Sequence, residues 1–155
     1  MKKIIALLMF LPSIALADIN LPNWFEQCIS VAVEGQMQAG EDEYGASDGR
    51  LCVMTMMEIC KYDQNPDACY VELTDVMEQM YLATRNDFPD ITALPEASQM
   101  GPQAVLDRLD APRSGLPYCR GSESACAFED SGFRLIEILR TMIDAQKSIN
   151  ELAAE

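Results

Sequence analysis

This chain of 155 residues contains no histidine, one tryptophan and only 7% aromatic residues. Without histidine, the commonest general base near neutral pH is missing. Neither a Ser-His-Asp nor a Cys-His nucleophilic device can be assembled. A favoured ligand for zinc and copper is lost with it. No Cys-x-x-Cys occurs, which argues against a thioredoxin-type redox pair and against the close ligand spacing of a structural zinc site. Strand-like alternation, hairpin turns and internal repeats are also missing. Basic residues are scarce: 11 Lys and Arg stand against 25 Asp and Glu, a net charge of −14. A field of that sign repels nucleic acid and anionic membrane surfaces, and it steers cationic partners inward.

What is present begins with an export signal. Lys2 and Lys3 form a charged start of the bacterial kind. An apolar run from Ile4 to Leu11 follows, then Pro12, then the small residues Ala15 and Ala17 of a cleavage site. The run is shorter than the roughly 20 apolar residues of a membrane span, and no later segment approaches that length. Asp18, not cysteine, follows the expected cut, so a lipoprotein anchor is not expected. Residues 1–17 therefore read as a cleavable signal peptide, and 18–155 as a single domain in the periplasm or secreted. Cleavage leaves 155 − 17 = 138 residues, 9 basic and 25 acidic, with a net charge of −16. That length suits one domain with a real core.

The mature chain reads as nearly all helical. Pro22 and Asn23 open a first helix to about Ala39, with Trp24, Cys28, Val31 and Ala32 on one apolar face. Gly40 to Gly49 is a break rich in glycine and acid. Ser47 or Asp48 can cap a second helix from about Arg50 to Tyr62, whose inner face is Cys52, Met56, Ile59 and Cys60. A third start is the clearest. Asn65 is a good N-cap, Pro66 fits the first helical position, and Asp67 favours the positive helix end. The stripe Cys69, Leu73, Val76, Met77, Met80 and Tyr81 carries this helix to about Arg85. After a loop holding Pro89 and Pro95, Pro102 opens a short fourth helix to about Leu109. Pro112, Gly115 and Pro117 forbid regular helix up to Cys119. Ser122 or Ser124 caps a long last helix, with Phe133, Ile136, Leu139, Met142, Ile143, Ile149 and Leu152 as its core face. Gly132 inside it costs about 1 kcal/mol against alanine and marks close approach of another element. Trp24 and Phe25 are expected in the core, against the last helix. The predicted fold class is all-α: a small disulfide-stapled bundle of about four to five helices.

All six cysteines, Cys28, Cys52, Cys60, Cys69, Cys119 and Cys126, fall in the mature chain. An even number of thiols behind an export signal predicts disulfides. Six cysteines allow about 15 pairings. Cys52 and Cys60 lie eight apart on one helix, about 12 Å along its axis, and a bridge needs Cα atoms within about 7 Å, which excludes that pair. Cys60 and Cys69 flank the turn at Asp63 to Pro66. Cys119 and Cys126 bracket six residues and can close that loop. Cys28 with Cys52 would then tie the first helix to the second. The connectivity stays open at this point.

No other constellation singles out a chemistry. Among 25 acids, none identifies itself as half of a glycosidase pair, so no catalytic residue is assigned. Glu41, Asp42, Glu43 and Asp48 form an acidic loop, but without the alternating acids and closing glutamate of an EF-hand. It reads instead as a contact segment for a basic partner. Met54, Met56 and Met57 cluster, as do Met77 and Met80, and thioethers favour copper(I). Met56, Met77 and Met80 fall on core faces, where methionine fills gaps. No metal site and no cofactor is assigned. Arg113, Arg120 and Arg134 are too few and too mixed with acids to form an anion site.

Two cysteines eight apart, Cys52 and Cys60, are followed by a third with a nearby glutamate, Cys69 and Glu72. That helix runs on through Val76 and Met80 to Tyr81. Cys119 closes a variable segment, and Cys126 leads a helix carrying Ser131 and Arg134. In these positions the chain resembles the N-terminal domain of LprI-type lysozyme inhibitors, which are small exported helical domains. It departs from them in having Val76 and Met77 where the family carries Trp-Asp. The resemblance implies a binding protein and not an enzyme, with a lysozyme as partner. The expected function is thus an exported periplasmic protein that binds a cationic protein partner electrostatically. The alternative is a structural or assembly factor of the cell envelope without catalytic activity. An exposed apolar stripe on the last helix, Ile138 to Leu152, would mark that alternative.

Overall fold

The computed structural model describes residues 20–38, 49–111 and 119–154. Among them the fold is all-α. Five α-helices run in the order α1 (Leu21–Gln38), α2 (Arg50–Lys61), α3 (Pro66–Asn86), α4 (Glu96–Asp110) and α5 (Glu123–Ala154), with a single 3₁₀ turn at Ile91–Ala93 before α4. The expected signal peptide and the acidic loop of Glu41, Asp42, Glu43 and Asp48 lie outside the described residues. So do Pro112, Arg113, Gly115 and Pro117.

The third helix starts as its sequence dictates. Asn65 Oδ1 accepts a hydrogen bond from the Ala68 N–H, with Pro66 in the first turn and Asp67 beside the positive helix end. The second helix starts differently. Gly49 stands at its N-cap with φ 76° and no side-chain cap. This left-handed backbone suits glycine. A Cβ here would also lie 2.7 Å from Ile136 Cδ1 and 3.1 Å from Ile29 Cδ1, so Gly49 lets the end of α2 approach both α1 and α5.

The fourth helix corrects the sequence reading. It begins at Glu96, and Pro102 sits inside it. A proline so placed deprives the carbonyl four residues back, that of Ser98, of its helical donor. Ser98 is exposed, so water can take that role and the break is tolerated.

The 32-residue α5 is the spine. It touches α1, α2, α3, α4 and the 3₁₀ turn, most extensively α3. Its buried face is Phe128, Leu135, Ile136, Ile138, Leu139 and Ile143. Against it pack Phe25 and Ile29 of α1, Met56 of α2, Leu73 and Met77 of α3, and Leu106 and Leu109 of α4. The ring of Tyr70 tilts against Phe128 with centroids 5.4 Å apart. A smaller cluster of Ile91, Leu94 and Ala145 seats the 3₁₀ turn on α5. Along the stripe from Ile138 to Leu152, Ile138, Leu139 and Ile143 are buried, Met142 and Ile149 are half-buried, and Leu152 is exposed.

Five residues expected on core faces face solvent instead. Val31 is 69% exposed, Phe133 58%, Leu152 41%, Ile59 39% and Trp24 38%. Phe25, next to Trp24, takes the interior position.

Three disulfides fasten this assembly. Cys28 joins Cys52, tying α1 to α2 with Cα atoms 5.9 Å apart. Cys60 joins Cys69 across the α2–α3 turn, with Cα atoms 5.4 Å apart. Cys119 joins Cys126 and closes the loop into α5. Disulfide bonding is the state of an oxidising, extracytoplasmic compartment. No described helix is long and apolar enough to cross a membrane.

Candidate interaction surface

The α2–α3 hairpin carries the surface features that the core does not absorb. Helix α2 is apolar on both faces. Its inner face is fixed by Cys52, Met56 and Cys60, one helical turn apart and all buried. The two bridges at Cys52 and Cys60 hold the helix in that rotation, which leaves Leu51 at 62%, Met54 at 58% and Tyr62 at 78% exposure. Met54, Thr55, Met57, Glu58, Ile59 and Tyr62 line a shallow open groove along the outer side of α2. Single exposed apolar residues are ordinary, but a contiguous apolar patch on a highly charged protein marks a contact site.

The rim of this groove is electrically organised. Lys61 Nζ lies 3.4 Å from Glu58 and 5.3 Å from the centroid of the Tyr62 ring. Its ammonium is held charged above its ordinary range, first by the hydrogen bond to Glu58 and then by that carboxylate's charge. Asp63 turns its Oδ1 onto the Asn65 N–H at 2.8 Å, closing the hairpin turn. Asp67, on the first turn of α3, accepts hydrogen bonds from Ser124 and from Ser122 Oγ, the latter at 2.7 Å. These bonds, Ser124's first and Ser122's second, hold its carboxyl below the ordinary value. Asp67 is therefore a fixed negative charge at neutral pH. Tyr70 donates its hydroxyl to the Met57 carbonyl at 3.2 Å. Its phenol is pushed up, first by burial and then by the negative charge of Glu58. Further along α3, Glu72 and Asp75 are exposed and form no ion pair with a described residue.

Three arginines bridge neighbouring helices. Arg85 pairs with Asp110 at 3.0 Å, joining α3 to α4. Arg108 pairs with Glu137, joining α4 to α5. Arg134 donates to the Leu109 carbonyl at 2.7 Å and stacks its guanidinium 4.8 Å from the centre of the Tyr81 ring. These three arginines engage groups of other helices, while Glu72 and Asp75 stay exposed on α3.

The described residues offer no buried carboxylate; the buried polar residues are Ser131 and Thr141. Ser131 donates to Glu78 at 3.2 Å and Thr141 to its own helix backbone at 2.8 Å. No group of three or more His, Cys, Asp or Glu that could hold a metal lies among the described residues. Of the methionines weighed for copper, Met56 and Met77 are fully buried core residues. The groove on α2 was not legible as a site in the sequence. Its one available signal was a short helix with apolar residues all round it, at Leu51, Met54 and Ile59 as well as Met56.

No family model, no curated protein and no solved structure matches the chain.

Proposed function

We propose that this chain is an exported, periplasmic binding protein, delivered by a Sec-type signal peptide, that engages a cationic protein partner and performs no chemistry on it. The observation that carries the reading is the charge arrangement. The chain has a net charge of −14. Its arginines at 85, 108 and 134 engage groups on neighbouring helices, while exposed acids line α3. Such a surface accelerates encounter with cationic proteins, and more so at low ionic strength. The disulfide framework suits a module that must persist outside the cytoplasm. The resemblance to LprI-type lysozyme inhibitors supports the same reading and nominates a C-type lysozyme, a strongly cationic protein, as partner.

The test is a muramidase assay with the oxidised mature protein, beside direct binding to lysozyme by calorimetry. Inhibition that weakens as salt rises is expected. Absence of both inhibition and binding at low salt, with micromolar protein, removes lysozyme as the partner. The alternative, an assembly factor of the cell envelope, draws on an exposed apolar stripe along α5 from Ile138 to Leu152, in which Leu152 is exposed while Ile138, Leu139 and Ile143 are buried.

A further inference from the structure

We propose that the groove on the outer side of α2 is a docking site for a cationic amphipathic segment, one apolar face seated on Met54, Met57, Ile59 and Tyr62 and its lysines or arginines over the acids of the hairpin. This rests on the reading of the chain as a binder of cationic proteins, and it names the surface and the partner chemistry. Three observations combine. The groove is lined by apolar side chains on one exposed helix face, with Glu58 the charged residue among them. Across α2 and the hairpin turn the acids hold a small excess: Glu58, Asp63 and Asp67 stand against Arg50 and Lys61, with Lys61 already engaged by Glu58. The methionines are unbranched and adaptable, a composition suited to receiving an apolar helix face.

Charge selects among the occupants of such a face. A second copy of this chain brings its own −14 and is repelled. An anionic membrane surface is repelled for the same reason. A neutral apolar segment gains the burial but no attraction. A segment that is apolar on one side and cationic on the other gains both. Glu58 is exposed and its link to Lys61 is a surface pair of small net worth, so an incoming cation can replace Lys61 without unfolding anything.

The experiment uses the oxidised full-length mature chain and three labelled peptides of equal length. One is an amphipathic helix of leucine and lysine, one replaces its lysines with glutamate, and one is a lysine homopeptide. Fluorescence anisotropy at low salt should rank them with leucine–lysine tightest, the homopeptide about tenfold or more weaker, and the glutamate peptide unbound. The double variant Met54→Ser/Tyr62→Ser keeps the charge and alters only exposed side chains. It should cost the leucine–lysine peptide about tenfold in affinity and leave the homopeptide unchanged. Val31→Ser/Leu82→Ser, which trims exposed apolar residues on α1 and α3, should change neither. Circular dichroism confirms that all forms remain folded. Equal binding of both cationic peptides, unaffected by Met54→Ser/Tyr62→Ser, overturns the groove while the electrostatic reading stands. Binding by neither cationic peptide overturns both. A dimer in sedimentation that Met54→Ser/Tyr62→Ser dissociates assigns the groove to a second copy and also overturns the proposal.

Discussion

Gly132 of α5 and Val53 of α2 meet so closely that a Cβ on the glycine would lie 2.6 Å from the valine Cγ1, with Met77 Sδ 3.5 Å away on the other side. A valine is stiff at χ1, and it cannot swing clear without moving α2, which the Cys28–Cys52 and Cys60–Cys69 bridges hold. Gly132→Ala gains about 1 kcal/mol of helix propensity but overpacks the contact at a cost of about 1–3 kcal/mol. The expected net lies between no change and a loss of about 2 kcal/mol, with the melting temperature unchanged or lower. Adding Val53→Ala makes room for the new methyl, so the double variant should lose less than the two single losses added together. Thermal denaturation of the four proteins reads this coupling directly. Losses that simply add in the double variant would contradict the close approach.

The cap at Asn65 gives a simpler expectation. Its side chain supplies an acceptor to the Ala68 N–H, one of the orphan donors of the first turn of α3. Asn65→Ala should cost about 1 kcal/mol in urea denaturation. Asn65→Asp retains an acceptor and should stay near the parent.

That start of α3 was plain in the sequence because Asn65, Pro66 and Asp67 each act through local chemistry. The close approach at Gly132 was also legible, since a glycine inside a strong helical pattern needs a reason. Rotation of the helices was harder to read. Periodicity placed Cys52, Met56 and Cys60 of α2 inward as they are found, but Leu51, Met54 and Ile59 carry apolar character beyond that face, and Ile59 is turned outward. On α5, once Gly132 faces Val53, its neighbour Phe133 is displaced by about 100° around the axis, and it points to solvent. Pro102 misled for a related reason. Proline at a helix start is a propensity, whereas an exposed interior position with water at hand is a tertiary circumstance. The candidate groove depended on which outer residues of α2 its neighbours leave uncovered, so it emerged only with the fold.

Acid should weaken the link between the α3 start and the α5 start. Asp67 binds Ser122 and Ser124, and its folded pKa lies below the ordinary 3.8. Asp90 is shifted the same way by the Thr92 hydroxyl and N–H. A depressed folded value means that the unfolded chain takes up the proton first. The stabilisation is therefore complete above the unfolded carboxylate value of about 4, and it is lost as pH falls below that toward the folded values. Urea midpoints should fall from about pH 5 to pH 3, with a shallower fall for Asp67→Asn/Asp90→Asn. An unchanged slope in that variant would assign the acid sensitivity to other carboxylates.

The three bridges should not reduce together. Cys60 is fully buried, Cys52 is 2% exposed and Cys69 is 7% exposed, so the Cys28–Cys52 bridge reaches the surface at its half-buried Cys28 end alone. Cys119 and Cys126 are both only half-buried, beside an exposed loop. Attack by a thiolate needs access to the sulfur. Under native conditions dithiothreitol should open Cys119–Cys126 first, and maleimide labelling with intact mass should show a species carrying two labels before any carrying six. Peptide mapping should place both labels at 119 and 126. Simultaneous appearance of all six would mean that reduction proceeds only through global unfolding.

Arg134 joins three helices. It donates to the carbonyl of Leu109 at 2.7 Å from the α5 side and lies over Tyr81 of α3. Leu109 is next to last in α4, so its carbonyl has no donor within its own helix. The negative end of that helix also favours a cation there. Arg134→Ala leaves this carbonyl without its donor and removes the stack, for an expected loss of about 2 kcal/mol. Arg134→Lys keeps the charge but not the planar fork that can stack and donate at once, so a loss of about 1 kcal/mol is expected. The effect should concentrate where the bond acts. Amides in the last turn of α4 should exchange faster in both variants, while those of α2, held by its two disulfides, should keep their protection. Equal losses for lysine and alanine would show that the guanidinium plane contributes nothing beyond its charge, and faster exchange throughout the molecule would show that Arg134 supports the whole bundle and not the α4 seat in particular.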